Sequence, residues 1–119
     1  MSAIARVEDG WHGGTAVAAV HGEIDASNAK ELGERLRSLL TNHAEAMVVD
    51  LSGTTYVDSA GINLLFALAD EMHSHQQRLA LAVGDGSPIL RMIRITGLDQ
   101  TAPVSPTVAA ALAGLVTED

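Results

Sequence analysis

Ala46-Met47-Val48-Val49-Asp50-Leu51-Ser52 is a short, almost wholly apolar run bounded by polar residues. A run of this kind reads as a strand buried on both faces, and such a strand needs helices on either side of its sheet. The flanking segments supply them. From Ser27 the apolar period is helical, with Ala29, Leu32, Leu36, Leu39 and Leu40 on one face and Glu31 and Arg35 spaced as an exposed i,i+4 pair. Asn28 and Glu31 have capping-box spacing, and Ser27 competes as the cap. After "GTTYVDSAG" the helical period returns through Ile62, Leu65, Phe66, Ala69 and Met72.

The remaining segments complete an alternating order. "AIARVE", a turn at "DGWHGG" and "TAVAAVHGEID" predict an opening β-hairpin. "RLALAV" reads as a further strand. "GDGSPILRMIRITGLD" reads as a compact helix with Ser87 as cap, Pro88 in its first turn and Gly97 at its exit. A short extended segment around 102–104 leads to a last helix capped by Ser105 and Pro106 or by Thr107, with Val108, Ala111, Leu112 and Leu115 on its inner face. The order β-β-α-β-α-β-α-β-α predicts an α/β fold whose mixed, mostly parallel sheet has helices packed against it. With 119 residues, no repeat and no linker, residues 1–119 read as a single domain.

Composition narrows the function. Seven basic against fifteen acidic residues give a net charge of −8, which argues against nucleic acid or an anionic membrane surface as partner and favours a basic protein. The absence of cysteine removes thiolate catalysis, disulfides and thiolate metal sites. Charges at Arg6, Glu8 and Asp9 interrupt the N-terminal segment where a signal peptide needs an apolar core, and no apolar run reaches membrane-spanning length, so a soluble cytoplasmic protein is expected.

In parallel sheets, functional groups gather beyond the carboxyl ends of strands, where loops enter helix N-termini. "GEIDASN" and "YVDSAG" are the two such places. Ser59, beside Asp58 and followed by Ala60 and Gly61, stands at or next to the N-cap of the second long helix. Capping alone explains a serine there, because it stabilises a helix by about 1 kcal/mol relative to alanine. The functional reading makes Ser59 a phosphoacceptor: small neighbours leave its hydroxyl approachable, and free N–H groups of the first turn could meet phosphate oxygens. Asp58 and Asp25 oppose the added charge.

Other chemistries fit poorly, and neither catalytic nor metal-ligating residues are expected. Val57-Asp58-Ser59-Ala60-Gly61 lacks the first glycine of a nucleophile elbow. His73 and His75, two apart on a helix, point to different faces. "GDGS" matches neither the P-loop nor the dinucleotide pattern. A phosphoryl-accepting receiver domain would run its first strand straight into a helix and carry a lysine after its last strand, whereas Lys30 is the only lysine here.

Three segments in order, "VHGEIDASNAKEL", "VVDLSGTTYVDSAGINLL" and "LRMIRITGLDQTAPVSPTVAAAL", resemble the STAS domain of anti-sigma factor antagonists. The resemblance spans the second strand to the last helix. It implies a non-enzymatic regulator without cofactor, in which Ser59 is the phosphorylated serine and the partner-binding surface includes Asp25, Asp58, Ser59, Ala60, Gly61 and Asn63. It implies as partners an anti-sigma factor that is also a serine kinase, bound by the unmodified protein so that a sigma factor is released, and a serine phosphatase that resets the switch. A STAS module that binds a small ligand or nucleotide, or scaffolds a signalling assembly, is the alternative. Whether Thr54 or Thr55 is also modified stays open at this point.

Overall fold

In a computed structural model that describes residues 5–40 and 43–117, the element order is β1 (Arg6–His12), β2 (Thr15–Ile24), α1 (Ala29–Leu40), β3 (Ala46–Asp50), β4 (Thr54–Val57), α2 (Ser59–Ser74), β5 (Arg78–Ala82), α3 (Leu90–Thr96), α4 (Leu98–Thr101), β6 (Val104–Ser105) and α5 (Val108–Thr117). The sheet runs β1-β2-β3-β5-β6, with β4 paired to β2. β1 and β2 are antiparallel and every other pairing is parallel. The α/β architecture therefore stands as expected.

The strand read from "AMVVDLS" lies at the centre. Met47, Val48 and Val49 are fully buried, and successive side chains enter opposite layers. Met47 and Val49 join Ala16, Ala18, Val20, Leu79 and Leu81 in the larger core, which α1, α2, α3 and α4 cover through Leu32, Leu36, Leu65, Leu68, Met72, Ile93 and Leu98. Val48 joins Ala46, Ala80 and Ala82 in a smaller core beneath α5, where Ala111 and Leu115 are buried.

Several local expectations change. β1 continues through Asp9–His12, the stretch read as turn, and only Gly13 and Gly14 make the reversal, with Gly13 at φ 61°. Residues 3 and 4, included in the first expected strand, lie outside the described residues. "TTYV" is a strand of its own rather than part of a loop, so two strands separate α1 from α2. α4, one helical turn, was also unexpected; it follows Gly97, whose left-handed φ of 80° closes α3 as predicted. α3 begins at Leu90, with the Ser87 Oγ accepting from the Ile89 N–H at 3.3 Å in the turn before it. Thr107 is the cap of α5, accepting from the Ala110 N–H at 3.0 Å. Arg35 turns to Asp9 on β1, 3.7 Å away, rather than to Glu31.

β2 is long because it serves two neighbours. Thr15–Ala19 pair with β3, and Gly22–Ile24 pair with β4 across a register shift between Gly22 and Glu23. Gly22 takes φ 101°, a conformation open to glycine at little cost, and its N–H donates to the Gly53 carbonyl at 3.0 Å. The bulge brings Ile24 opposite Val57, so the loops after β2 and β4 emerge side by side.

Candidate functional site

The paired strand ends place Asp25 and Asp58 on adjacent loops. Asp58 is the N-cap of α2, extended at φ −96° and ψ −173°. Its Oδ1 accepts from the N–H groups of Ala60 at 2.9 Å and Gly61 at 3.1 Å. Its Oδ2 accepts from the Ala26 N–H at 3.2 Å, across to the other loop. The Asp58 N–H in turn donates to the Ile24 carbonyl at 3.1 Å. One residue thus caps a helix and ties two loops together.

Ser59 is therefore not the cap. It is the first residue of α2, exposed, and its hydroxyl makes no hydrogen bond among the described residues. The expectation of a first turn with free N–H groups also changes. Two of those donors already serve Asp58, and the Ile62 N–H serves the Asp58 carbonyl at 3.0 Å. A phosphate on Ser59 would compete with a carboxylate instead of filling an empty anion site.

Gly61 is buried, against the expectation that it contributes to the exposed surface. A Cβ there would lie 2.7 Å from Val57 Cγ1 and 2.8 Å from Ile24 Cγ2, so the absence of a side chain lets α2 seat on the two strand ends. Ala60 is half-buried, and Asn63 is exposed one turn after Ser59. Thr54 is buried and donates its hydroxyl to the Val20 carbonyl at 2.8 Å, whereas Thr55 is exposed. Thr54 offers no accessible hydroxyl for modification.

The loop after β2 is closed by its own side chains. Asp25 Oδ1 accepts from the N–H of Ser27 at 2.9 Å and also from the Ser27 hydroxyl. Asn28, only 3% exposed, turns its amide back: Oδ1 accepts from the Asp25 N–H at 3.0 Å and Nδ2 donates to the Glu23 carbonyl at 2.8 Å. The capping-box reading of Asn28 gives way to this arrangement, because a buried amide is held best by donors and acceptors within its own loop. Asn28 was missed as a positioning residue, and its sequence signal is a single amide between a strand end and a helix start.

A broad cleft of about 650 Å³ lies at the opposite, amino-terminal end of the parallel strands, lined by His12, Glu45, Arg78, Leu112 and Val116 among others. It contains none of the loop residues above. Among the described residues there is no group of three or more His, Asp or Glu side chains placed to hold a metal ion, and no helix long and apolar enough to cross a membrane.

Residues 7–115 match the family model described as Mlab, STAS domain. The anti-sigma-F factor antagonist RsfB of Mycobacterium tuberculosis is 33% identical over 104 residues, covering 87% of this chain and 84% of its own length. The chain belongs to the STAS family, in its group of anti-sigma factor antagonists. The crystal structure of an anti-sigma factor antagonist from Mycobacterium paratuberculosis superposes with a TM-score of 0.82 at 28% identity, with 92% of each chain covered. The phosphorylated form of the Bacillus cell fate determinant SpoIIAA shares the STAS fold at a TM-score of 0.65 and 17% identity, covering 93% of this chain and 98% of its own. The mixed sheet and flanking helices are thus those of a STAS domain. In this one, the exposed serine that opens α2 sits directly beside the capping aspartate.

Proposed function

We propose that this STAS domain is a cytoplasmic partner switch. Unphosphorylated, it binds an anti-sigma factor that is also a serine kinase and frees a sigma factor; phosphorylation at Ser59 ends the binding, and a serine phosphatase restores it. The observation that carries the reading is the unbonded Ser59 hydroxyl, exposed at the first position of α2 while Asp58 occupies the neighbouring N–H groups.

The chemistry required of this chain is small. The Ser59 oxygen attacks the γ-phosphorus of ATP, the bond from that phosphorus to the bridging oxygen breaks, ADP leaves, and the serine proton passes to a base on the kinase. The STAS domain supplies only the nucleophilic oxygen on a rigid junction. The product carries about −1.5 to −2 charges at neutral pH. With Asp58 next to it and the Ala60, Gly61 and Ile62 N–H groups engaged, this charge gains little compensation within the domain. In a complex it must be desolvated or repelled, and each 1.4 kcal/mol lost weakens binding about tenfold.

Two measurements test the switch. Incubation with the anti-sigma kinase of the same organism and ATP, followed by mass spectrometry, should place phosphate on Ser59, and Ser59→Ala should remain unlabelled. Label on another residue with Ser59→Ala labelled normally sinks the site. In calorimetric titrations Ser59→Ala should bind the anti-sigma factor like the unmodified chain, while Ser59→Glu should bind more weakly. Equal affinities sink the switch.

A further inference from the structure

We propose that Tyr56 is the aromatic anchor of the surface gripped by the anti-sigma partner, which meets it with an apolar slot rimmed by basic side chains. The proposal rests on the partner-switch reading and adds a residue outside the acceptor loop.

Five large apolar side chains are notably exposed among the described residues: Trp11, Tyr56, Met92, Ile95 and Val116. An isolated exposed aromatic is ordinary, so placement decides. Trp11 pairs with Ala16 at the start of β2, and Val116 lines the cleft at that same amino-terminal end of the sheet. Met92 and Ile95 belong to α3, which follows β5. Of the five, Tyr56 lies in the segment that ends in Asp58 and Ser59. Its strand neighbour Val57 enters the core and pairs with Ile24, while Tyr56 is opposite Glu23 and 50% exposed.

β4 is bonded to β2 on one side and to no strand on the other among the described residues, and Thr55 is exposed beside Tyr56. The aromatic thus stands at an open strand edge. The two segments it joins carry carboxylates: residues 22–28 and 54–63 contain Glu23, Asp25 and Asp58 and no Lys, Arg or His, with His21 packed beside Gly53 just before β4. An aromatic with few rotatable bonds, on a strand opposite Glu23 and two residues before Asp58, suits a partner cavity that is apolar within and cationic at its margin. Anchors of this type carry a disproportionate share of interface affinity.

The test is calorimetric titration of the purified anti-sigma factor of the same organism into unphosphorylated variants. Tyr56→Ala should weaken binding at least fivefold. Tyr56→Phe, which keeps the ring, and Trp11→Ala, which removes a comparably exposed aromatic elsewhere, should stay within twofold, all with unchanged circular dichroism and melting. A loss below fivefold for Tyr56→Ala overturns the anchor, as does an equal loss from Tyr56→Phe or Trp11→Ala. If Ser59→Glu weakens binding while Tyr56→Ala does not, the anchor alone fails. If Ser59→Glu binds like the unmodified chain while Tyr56→Ala weakens binding at least fivefold, the switch alone fails; if the unmodified chain binds no anti-sigma factor, the switch fails and the anchor with it.

Discussion

The loops after β2 and β4 begin almost alike, Ile24-Asp25-Ala26-Ser27 and Val57-Asp58-Ser59-Ala60, from residues paired across two parallel strands. Each opens with a buried aliphatic and an aspartate, and each leads into a helix on the same face. Beyond the aspartate the two diverge. After Asp58 the helix starts at once, so the carboxylate caps it and the next side chain, Ser59, points away unbonded. After Asp25 a turn intervenes, α1 waits until Ala29, and the carboxylate is occupied by the backbone and hydroxyl of Ser27. One serine is engaged and the other is offered. The number of residues between strand and helix, rather than the presence of serine, decides which hydroxyl is left unbonded.

Forcing the two junctions apart is the most drastic way to break this comparison. Gly61→Val puts a branched side chain against Val57 and Ile24, and should lower unfolding stability by about 2–3 kcal/mol in urea titrations. An unchanged midpoint would show that α2 is not seated as tightly as its geometry indicates. Next comes Asn28→Ala, which removes two part-buried hydrogen bonds, to the Asp25 N–H and the Glu23 carbonyl, and should cost about 1–3 kcal/mol at roughly 0.5–1.5 kcal/mol each. Its amide exchange at Asp25 should rise while that at Gly61 does not.

Asp58→Ala removes the α2 cap and the tie to Ala26, and should cost about 1–2 kcal/mol, whereas Asp58→Asn, another good cap, should recover most of it. If Asn recovers nothing, charge rather than capping geometry is what Asp58 provides. The smallest effect lies away from both junctions, where Arg37 donates to Glu71 through Nε at 2.9 Å and Nη2 at 2.8 Å. The hydrogen bond from Arg37 holds the Glu71 carboxyl below its ordinary range. The pair is largely solvent-exposed, so Glu71→Gln should cost only about 0.5 kcal/mol at neutral pH. That contribution is present above the ordinary carboxylate range and is lost as pH falls through the lowered folded value, so parent and variant should converge in acid thermal melts.

The sequence made the layered plan legible because it is written in local periodicity: the apolar run of β3 and the helical stripes of α1 and α2 need no knowledge of distant neighbours. Asp25, Asp58 and Ser59 were legible as residues at strand ends. β4 was not, because four residues are too few to show a period, and they become a strand through the shift in β2 at Gly22. The same distance hid the Asp58 bond to Ala26, which joins residues 32 positions apart. Arg35 was misread because a local rule competed with a charge on β1 that only folding brings near. Gly61 looked like surface because its purpose lies beneath it.

The bond from Ala26 to Asp58 has a thermodynamic consequence for recognition. A loop that must be ordered by its partner loses roughly 1–2 kcal/mol of backbone freedom per residue at that moment. Here the loop after β2 is already held in register with the Asp58–Ser59 junction before any partner arrives. A protein that docks on these loops meets both in fixed relation, and its interaction energy goes into affinity and discrimination instead of into restraining a mobile chain.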